Sequence, residues 1–152
     1  RKKNVIFLIN DRIDIAIAVS ADGVHLGQDD MPYTLARKVL GKNKIIGVTV
    51  HNVKEAKNAE KQGANYLGVA PIFLTHTKND ARKPLGVSLI KKIRCCVCSV
   101  VPIIAVGGIN LSNAREVIDA GADGLCAISS VVAKNGVKKE IEKFQELFKQ
   151  SE

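Results

Sequence analysis

Aromatic residues are scarce in this chain, and their scarcity restricts how a hydrophobic core can be built. They make up 4% of the 152 residues and tryptophan is absent, whereas hydrophobic residues in total make up 46%. A hydrophobic content this high excludes an intrinsically disordered chain. The core must therefore consist of Ile, Val, Leu and Ala, a composition typical of buried parallel strands packed against helices.

Features of membrane, secreted and zinc-binding proteins are also missing. No run of about 18 apolar residues and no signal or transit segment is recognisable, so we expect no membrane partner. Cys95, Cys96 and Cys98 form a C-x-x-C pattern, but no second ligand pair follows at a zinc-site spacing. Cys126 lies in an apolar strand pattern, where a small buried thiol is expected. Reduced, structural cysteines favour a cytoplasmic location.

Basic residues exceed acidic ones, with 23 Lys plus Arg against 15 Asp plus Glu and a net charge of +8. Such an excess is typical of proteins that bind nucleic acid or an anionic substrate. The lysines are spread along helical patterns with acids between them, and no aromatic residues accompany them to stack on bases. We therefore expect no nucleic-acid partner, and the oligomeric state is left open.

Strand-length apolar runs alternate with patterns of helical period along the whole chain. The runs are Val5–Ile9, Gly23–Leu26, Ile45–Val50, Tyr66–Val69, Ile103–Val106 and Gly124–Ile128. Asn52 and Gly63 are expected to cap the third helix, and Asn110 or Ser112 the fifth. Six strand–helix units with short connections predict a parallel α/β sheet.

An open sheet and a closed barrel both accommodate six such units, but two features favour the barrel. No Gly-x-Gly-x-x-Gly follows the first strand. The Gly107-Gly108 turn and Ser129 match the phosphate site after strands seven and eight of a TIM (βα)8 barrel. We therefore predict that residues 1–152 form one partial TIM-barrel domain containing strands three to eight. The barrel would lack its first two βα units, and we expect the chain, which starts at Arg1, to be a fragment.

Asp11 and Asp30 each lie just past the end of a predicted strand, on the face where barrel enzymes carry their chemistry. Carboxylate oxygens are ligands for hard cations such as Mg²⁺. Helix capping is an equally good interpretation of either aspartate taken alone. Asp29 competes with Asp30 as the ligand on the local pattern.

The segment from Ala70 to Leu85 is the longest irregular stretch, and loops of this length are often functional. Within it, Thr75, Thr77 and Lys78 offer two hydroxyls and an ammonium group to a phosphate, although a solvated loop would have the same composition. The Gly107-Gly108 turn allows close approach of an anion, or is simply a tight turn.

Of the histidines, His25 is expected to be a hydrogen-bonded barrel side chain, and His51 could touch a substrate. No Ser-His-Asp or Cys-His set is apparent, which disfavours acyl transfer.

Several of these segments, taken in order, resemble the thiamine phosphate synthase family from about Val5 to the end of the chain. The matching segments are Ile9-Asn10-Asp11-Arg12, Asp22–Asp30, Ile46–Thr49, Gly68–Phe73, Thr75-His76-Thr77-Lys78, Val106–Asn110 and Ala120–Gly124. The resemblance implies a transferase that joins 4-amino-2-methyl-5-hydroxymethylpyrimidine diphosphate to a thiazole phosphate. In the implied reaction, pyrophosphate leaves first to give a pyrimidine carbocation, and the product is thiamine phosphate.

The resemblance also implies roles for individual residues. Asp11 and Asp30 would bind Mg²⁺, which selects Asp30 over Asp29. Asn10, Thr49 and Lys78 would contact the pyrimidine diphosphate, with Lys78 acting catalytically. The thiazole phosphate would be held by Thr75, Thr77, Gly108, Ile128 and Ser129.

This chain departs from the family pattern in three places. Leu74 and Ala70 replace a usual proline and a common glycine, and the family's basic cluster at the end of its second strand has no counterpart before Val5. Two alternatives stay open, a thiazole tautomerase-like isomerase and a non-catalytic binder of thiazole or thiamine phosphate. The presence of both aspartates with Thr75 and Lys78 favours the synthase.

Overall fold

The computed structural model describes residues 5–75 and 83–149. In this part of the chain, strands and helices alternate almost strictly. The strands are β1 (Leu8–Asn10), β2 (Gly23–Leu26), β3 (Ile45–Val50), β4 (Tyr66–Val69), β5 (Ile103–Val106) and β6 (Gly124–Cys126). The helices are α1 (Ile13–Ala18), α2 (Tyr33–Leu40), α3 (Val53–Gln62), α4 (Val87–Arg94), α5 (Ala114–Asp119), α6 (Ser129–Val132) and α7 (Val137–Lys149).

All six strands are parallel and pair in chain order from β1 to β6, which confirms the predicted parallel sheet. Strand–helix–strand connections in parallel sheets are right-handed, so a constant direction of progress places all connecting helices on one face. Contacts between α1 and α2, α2 and α3, α3 and α4, and α4 and α5 agree with a single helical layer. The sheet therefore forms a curled half-barrel with its helices outside. No helix in the described ranges has both the length and the apolar content to cross a membrane.

Local sequence signals account for some helix ends and fail at others. The Asn52 side chain accepts a hydrogen bond from the Glu55 N–H at 2.9 Å, and Gly63 ends α3 in the left-handed conformation, as predicted. The prediction of a cap at Asn110 or Ser112 is wrong, because α5 starts after Asn113. Asn110 instead accepts from the Ser112 N–H within the preceding turn.

The side of the sheet that faces the helices forms the hydrophobic core. Val24, Ile46, Leu67 and Ile103, from four adjacent strands, are all 0% exposed. They pack with helix residues such as Ile90 of α4 in one cluster. Because side chains alternate between the faces of a strand, this core leaves every second residue of each strand for the inner face.

The inner face carries polar side chains that the core could not hold. His25, Thr49 and Tyr66 are half-buried there, on three consecutive strands. In register, Gly47 lies between His25 on one side and Tyr66 on the other. With no side chain at Gly47, the two rings stack across it with centroids 5.4 Å apart.

Two of the inner-face glycines, Gly47 and Gly68, are required by close approach of neighbouring side chains. A Cβ atom at Gly47 would overlap the Tyr66 ring, and one at Gly68 would lie 2.7 Å from Cε1 of His25. Neither glycine has a left-handed backbone, so the missing side chain, rather than backbone freedom, is what the fold needs.

Gly47→Ala should destabilise the protein because its methyl group displaces the Tyr66 ring. Overpacking of this kind typically costs about 1–3 kcal/mol in the free energy of unfolding, measurable by urea denaturation. In a Tyr66→Ala background the same substitution should cost much less, because the obstructing ring is gone. Equal costs in the two backgrounds would show that the clash with Tyr66 is not the cause.

Candidate active site

A cavity of about 740 Å³ opens on the inner face, at the carboxyl ends of the strands. Eight of the residues proposed from the sequence line it, namely Asn10, Asp11, Asp30, Thr49, Thr75, Gly108, Ile128 and Ser129. Thr77 and Lys78 lie outside the described residues. The cavity thus gathers residues from several strand ends. Its lining includes residues of β1, β3 and β5 and of the loops after β1, β2, β4, β5 and β6.

Asp11 follows β1 in the left-handed backbone region, with φ of 64°. Asp and Asn adopt this region more readily than most residues. The Asp11 N–H donates to the carbonyl of His25 at 2.9 Å, which fixes the end of β1 against β2. The N-cap of α1 is Arg12, without a side-chain cap, so the capping alternative does not account for Asp11.

Asp30 closes the turn that follows β2. Its Oδ2 accepts a hydrogen bond from the Gly27 N–H at 2.6 Å. The N-cap of α2 is Pro32, and no side chain caps that helix, so Asp30 is not a helix cap either. Gln28 in the same turn donates from Nε2 to the Thr49 carbonyl at 2.6 Å, which ties the turn to the end of β3.

Asp11, Asp29 and Asp30 together make the rim of the cavity acidic. Nevertheless, within residues 5–75 and 83–149 no group of three or more His, Cys, Asp or Glu side chains is arranged to hold a metal ion. Mg²⁺ commonly takes only one or two protein carboxylates and completes its shell with water and substrate phosphate oxygens. Two carboxylates at the rim therefore fit Mg²⁺ in the presence of a phosphorylated ligand.

The first part of the long loop after β4 packs on the Gly107-Gly108 turn. The Ile72 N–H donates to the Val106 carbonyl at 2.9 Å, and the Phe73 N–H to the Gly107 carbonyl at 3.1 Å. A Cβ atom at Gly108 would lie 2.5 Å from the Leu74 carbonyl oxygen, and φ at Gly108 is 65°. Glycine is therefore needed at position 108 both for conformation and for space, and this packing brings Thr75 to the same cavity.

The end of β6 joins the same turn. Ser130 Oγ donates to the Ile109 carbonyl at 2.7 Å, which holds the start of α6 beside the Gly107-Gly108 segment. Helix α6 has four residues and was not predicted. Ile128 and Ser129 reach the cavity at its start.

His25 connects two other side chains on the inner face beneath the rim. Its Nδ1 lies 2.9 Å from Tyr66 Oη, and its Nε2 lies 2.7 Å from Thr49 Oγ1. These contacts confirm the prediction of a hydrogen-bonded barrel histidine. Burial and, to a smaller extent, the charge of the nearby Cys126 together raise the pKa of Tyr66 to about 12. The phenol therefore stays protonated at physiological pH.

The prediction of a buried Cys126 is wrong, since this residue is exposed and lines the cavity. The apolar run Gly124–Ile128 was read as core, but β6 ends at Cys126 and its last side chain faces inward. The surrounding protein still raises the pKa of the Cys126 thiol through partial burial.

The sequence interpretation assigned no binding role to Tyr66 or Gln28, both of which contribute to the cavity. For Tyr66 a signal was present, because strict alternation from the buried Leu67 places Tyr66 on the inner face. For Gln28 the strand pattern carries no such signal, since it lies in a turn.

His51 also lines the cavity, at the end of β3. The His51 ring Nδ1 lies 3.0 Å from Glu55 Oε2, and the backbone N–H of His51 donates to the same oxygen at 2.7 Å. Burial disfavours the Glu55 carboxylate, but these hydrogen bonds outweigh burial and lower the pKa of Glu55. Glu55 thus orients the imidazole of His51 at the rim.

Residues 1–131 match the family described as thiamine monophosphate synthase. The thiamine-phosphate synthase of Methanosarcina mazei is 54% identical over 145 residues, covering 95% of this chain and 60% of the relative. That of Halalkalibacterium halodurans is 45% identical over 150 residues, covering 99% of this chain and 70% of the relative.

Solved structures give the same relationship. A thiamine phosphate pyrophosphorylase from Pyrococcus furiosus is similar with a TM-score of 0.88 and 41% identity, covering 99% of this chain and 70% of that one. The chain spans 60–66% of the length of three curated relatives from Methanosarcina and Chloroflexus. On the family match and these identities, the chain belongs to the thiamine monophosphate synthase family.

Proposed function

We propose that this chain forms the greater part of a Mg²⁺-dependent transferase that makes thiamine phosphate. The substrates would be 4-amino-2-methyl-5-hydroxymethylpyrimidine diphosphate and a thiazole phosphate. One observation carries the proposal: Asp11 and Asp30 line the same cavity as Thr75 and the Gly107-Gly108 turn. A cation site and a phosphate site on one rim suit two phosphorylated substrates that react with each other.

Mg²⁺, held by Asp11 and Asp30, would supply positive charge to the diphosphate as it leaves. The electrostatics of the cavity support this assignment. Three carboxylates at the rim repel a diphosphate, so a bound cation is needed for the anion to approach them.

In the proposed reaction, the bond between the pyrimidine methylene carbon and the diphosphate oxygen breaks, and its electron pair leaves with pyrophosphate. The lone pair of the thiazole nitrogen then forms a bond to the methylene carbon. Asn10 and Thr49 would position the diphosphate, and Lys78 would neutralise charge on the leaving group. The cavity would keep the intermediate carbocation from water until the thiazole reacts.

The thiazole phosphate would be held in the same cavity by Thr75, Thr77 and Gly108. Support comes from the packing of the loop at Phe73 and Leu74 against the Gly-Gly turn, which brings Thr75 and Gly108 to the same cavity. Ile128 and Ser129 would complete this subsite at the start of α6.

We also propose that the complete protein contains two further βα units ahead of this chain, so that the six strands are strands three to eight. Within the described residues, β1 and β6 are each paired on one side only. Apolar side chains are exposed beside both edges, with Ile6 63% and Phe7 45% exposed before β1 and Val132 66% exposed after β6. Two added strands would pair both edges, close the barrel and cover this apolar surface. The described cysteines are free, which suits a cytoplasmic enzyme.

The barrel proposal predicts that a protein consisting of residues 1–152 alone binds a hydrophobic dye such as ANS. The complete protein should bind far less, because the added units bury the edges. Fluorescence titration of the two proteins at equal concentration measures the difference. Equal dye binding would show that the upstream polypeptide does not cover this surface.

Asp30→Ala in the complete protein should lower turnover by about 100-fold or more, because a cation that contributes several kcal/mol is no longer held. The rate of pyrophosphate release with both substrates and Mg²⁺ measures turnover, and circular dichroism verifies that the variant is folded. Asp29→Ala is the matched control and should lower turnover far less. A larger loss in Asp29→Ala would transfer the metal role to that carboxylate.

The same assay separates the alternatives. Wild-type protein that converts a thiazole phosphate without releasing pyrophosphate would be an isomerase. Ligand binding without any product would make it a binder. Either result contradicts the transferase proposal.

Lys78→Ala should lower kcat by about 100- to 1000-fold, comparable to loss of one oxyanion donor worth about 2.7–4 kcal/mol. Steady-state kinetics of pyrophosphate release measures the change. Lys57→Ala, on the exposed side of α3, is the control for loss of one positive charge and should leave kcat within about twofold. An unchanged kcat in Lys78→Ala would remove this lysine from the proposed mechanism.

A further inference from the structure

Three side chains on the inner face form a continuous chain of hydrogen bonds that ends at the cavity. Tyr66 Oη lies 2.9 Å from His25 Nδ1, and His25 Nε2 lies 2.7 Å from Thr49 Oγ1. All three residues line the cavity. A neutral imidazole carries one proton, so the direction of both hydrogen bonds depends on which ring nitrogen holds it.

The two possible directions have different consequences for Thr49. If Nδ1 carries the proton, it donates to Tyr66, and the Thr49 hydroxyl must donate its own proton back to Nε2. If Nε2 carries the proton, Tyr66 donates to Nδ1 and Nε2–H donates to Thr49 Oγ1. In that second case the Thr49 proton is released to point into the cavity, where it can donate to an anion.

We propose that Tyr66 and His25 are positioning residues that turn the Thr49 hydroxyl into a hydrogen-bond donor to the diphosphate group. This inference rests on the proposed function, in which Thr49 contacts the diphosphate. Tyr66 and His25 would act only through Thr49, by setting the direction of its hydrogen bond, and would form no covalent bond to the substrate.

The surroundings of Tyr66 favour this direction. Within residues 5–75 and 83–149, the Tyr66 hydroxyl forms a hydrogen bond with His25 Nδ1. A half-buried phenol proton without an acceptor would be costly, and donation to Nδ1 avoids that cost. The high pKa of Tyr66 keeps this proton in place.

The geometry of the Tyr66–His25–Thr49 hydrogen bonds is fixed at both ends. Stacking of the His25 and Tyr66 rings across Gly47 fixes the first hydrogen bond. At the other end, the Gln28 side chain donates to the Thr49 carbonyl at 2.6 Å and holds that residue at the rim. The hydroxyl of Thr49 therefore has a defined position as well as a defined direction.

The tautomer can be measured without any turnover. In the complete protein labelled with ¹⁵N-histidine, the His25 signals, assigned by their loss in His25→Gln, should show a protonated Nε2 and an unprotonated Nδ1 at mildly alkaline pH. A predominantly Nδ1-protonated imidazole would overturn the inference, whatever the enzyme does.

Binding of inorganic pyrophosphate in the presence of Mg²⁺, measured by calorimetry, tests the consequence. Tyr66→Phe should weaken binding on the order of tenfold, as expected for loss of one hydrogen bond to an anion. Thr49→Val should weaken it by a similar factor. In the Thr49→Val background, Tyr66→Phe should then have almost no further effect, because Tyr66 acts through Thr49. Tyr33→Phe is the control, since Tyr33 donates to the Gly63 carbonyl and does not line the cavity.

The results distinguish this inference from the proposed function. If Thr49→Val weakens pyrophosphate binding but Tyr66→Phe does not, the positioning role is wrong and the diphosphate site stands. If the two substitutions weaken binding additively, Tyr66 acts independently of Thr49 and the inference is also wrong. If Thr49→Val leaves binding unchanged, the assignment of Thr49 to the diphosphate fails, and the positioning role fails with it.

Discussion

Pairing of six parallel strands in chain order is the constraint on which the rest of this structure depends. It sends every connecting helix to one face and leaves the other face concave. It also brings every strand-to-helix junction to one rim, although those junctions lie as far apart in sequence as Asn10 and Ser129. Residues that are scattered along the chain therefore meet in one cavity because they lie on the inner face of neighbouring strands or just past their carboxyl ends.

Two kinds of side chain separate the faces of the sheet. The outer face holds buried aliphatic residues, whereas the inner face of β2 to β4 carries His25, Thr49 and Tyr66 together with glycines. His25, Gly47 and Tyr66 stand in one row across three strands, and the glycine is what lets the two rings meet. One of the two tyrosines in the chain, Tyr66, lines the cavity and places its hydroxyl beside His25.

Signals that act over a few residues predicted much of the fold. The Asn52 cap and the Gly63 terminus of α3 depend on contacts within one helical turn, and both were predicted. The start of α5 was missed because Asn110 and Asn113 bond within a turn that follows the Gly107-Gly108 segment. Cys126 was missed because an apolar run does not reveal which end of a short strand faces a cavity. Tertiary position, rather than propensity, decides such cases.

For the site, the sequence predicted which strand ends lie together at one cavity but not how their side chains are held. Asp11 and Asp30 follow strands that are neighbours in the sheet, and neither serves as a helix cap, so capping does not account for their positions. An acidic rim beside a glycine turn is an unfavourable place for an anion until a cation joins it. The proposed Mg²⁺ and diphosphate would therefore favour each other's binding at the rim.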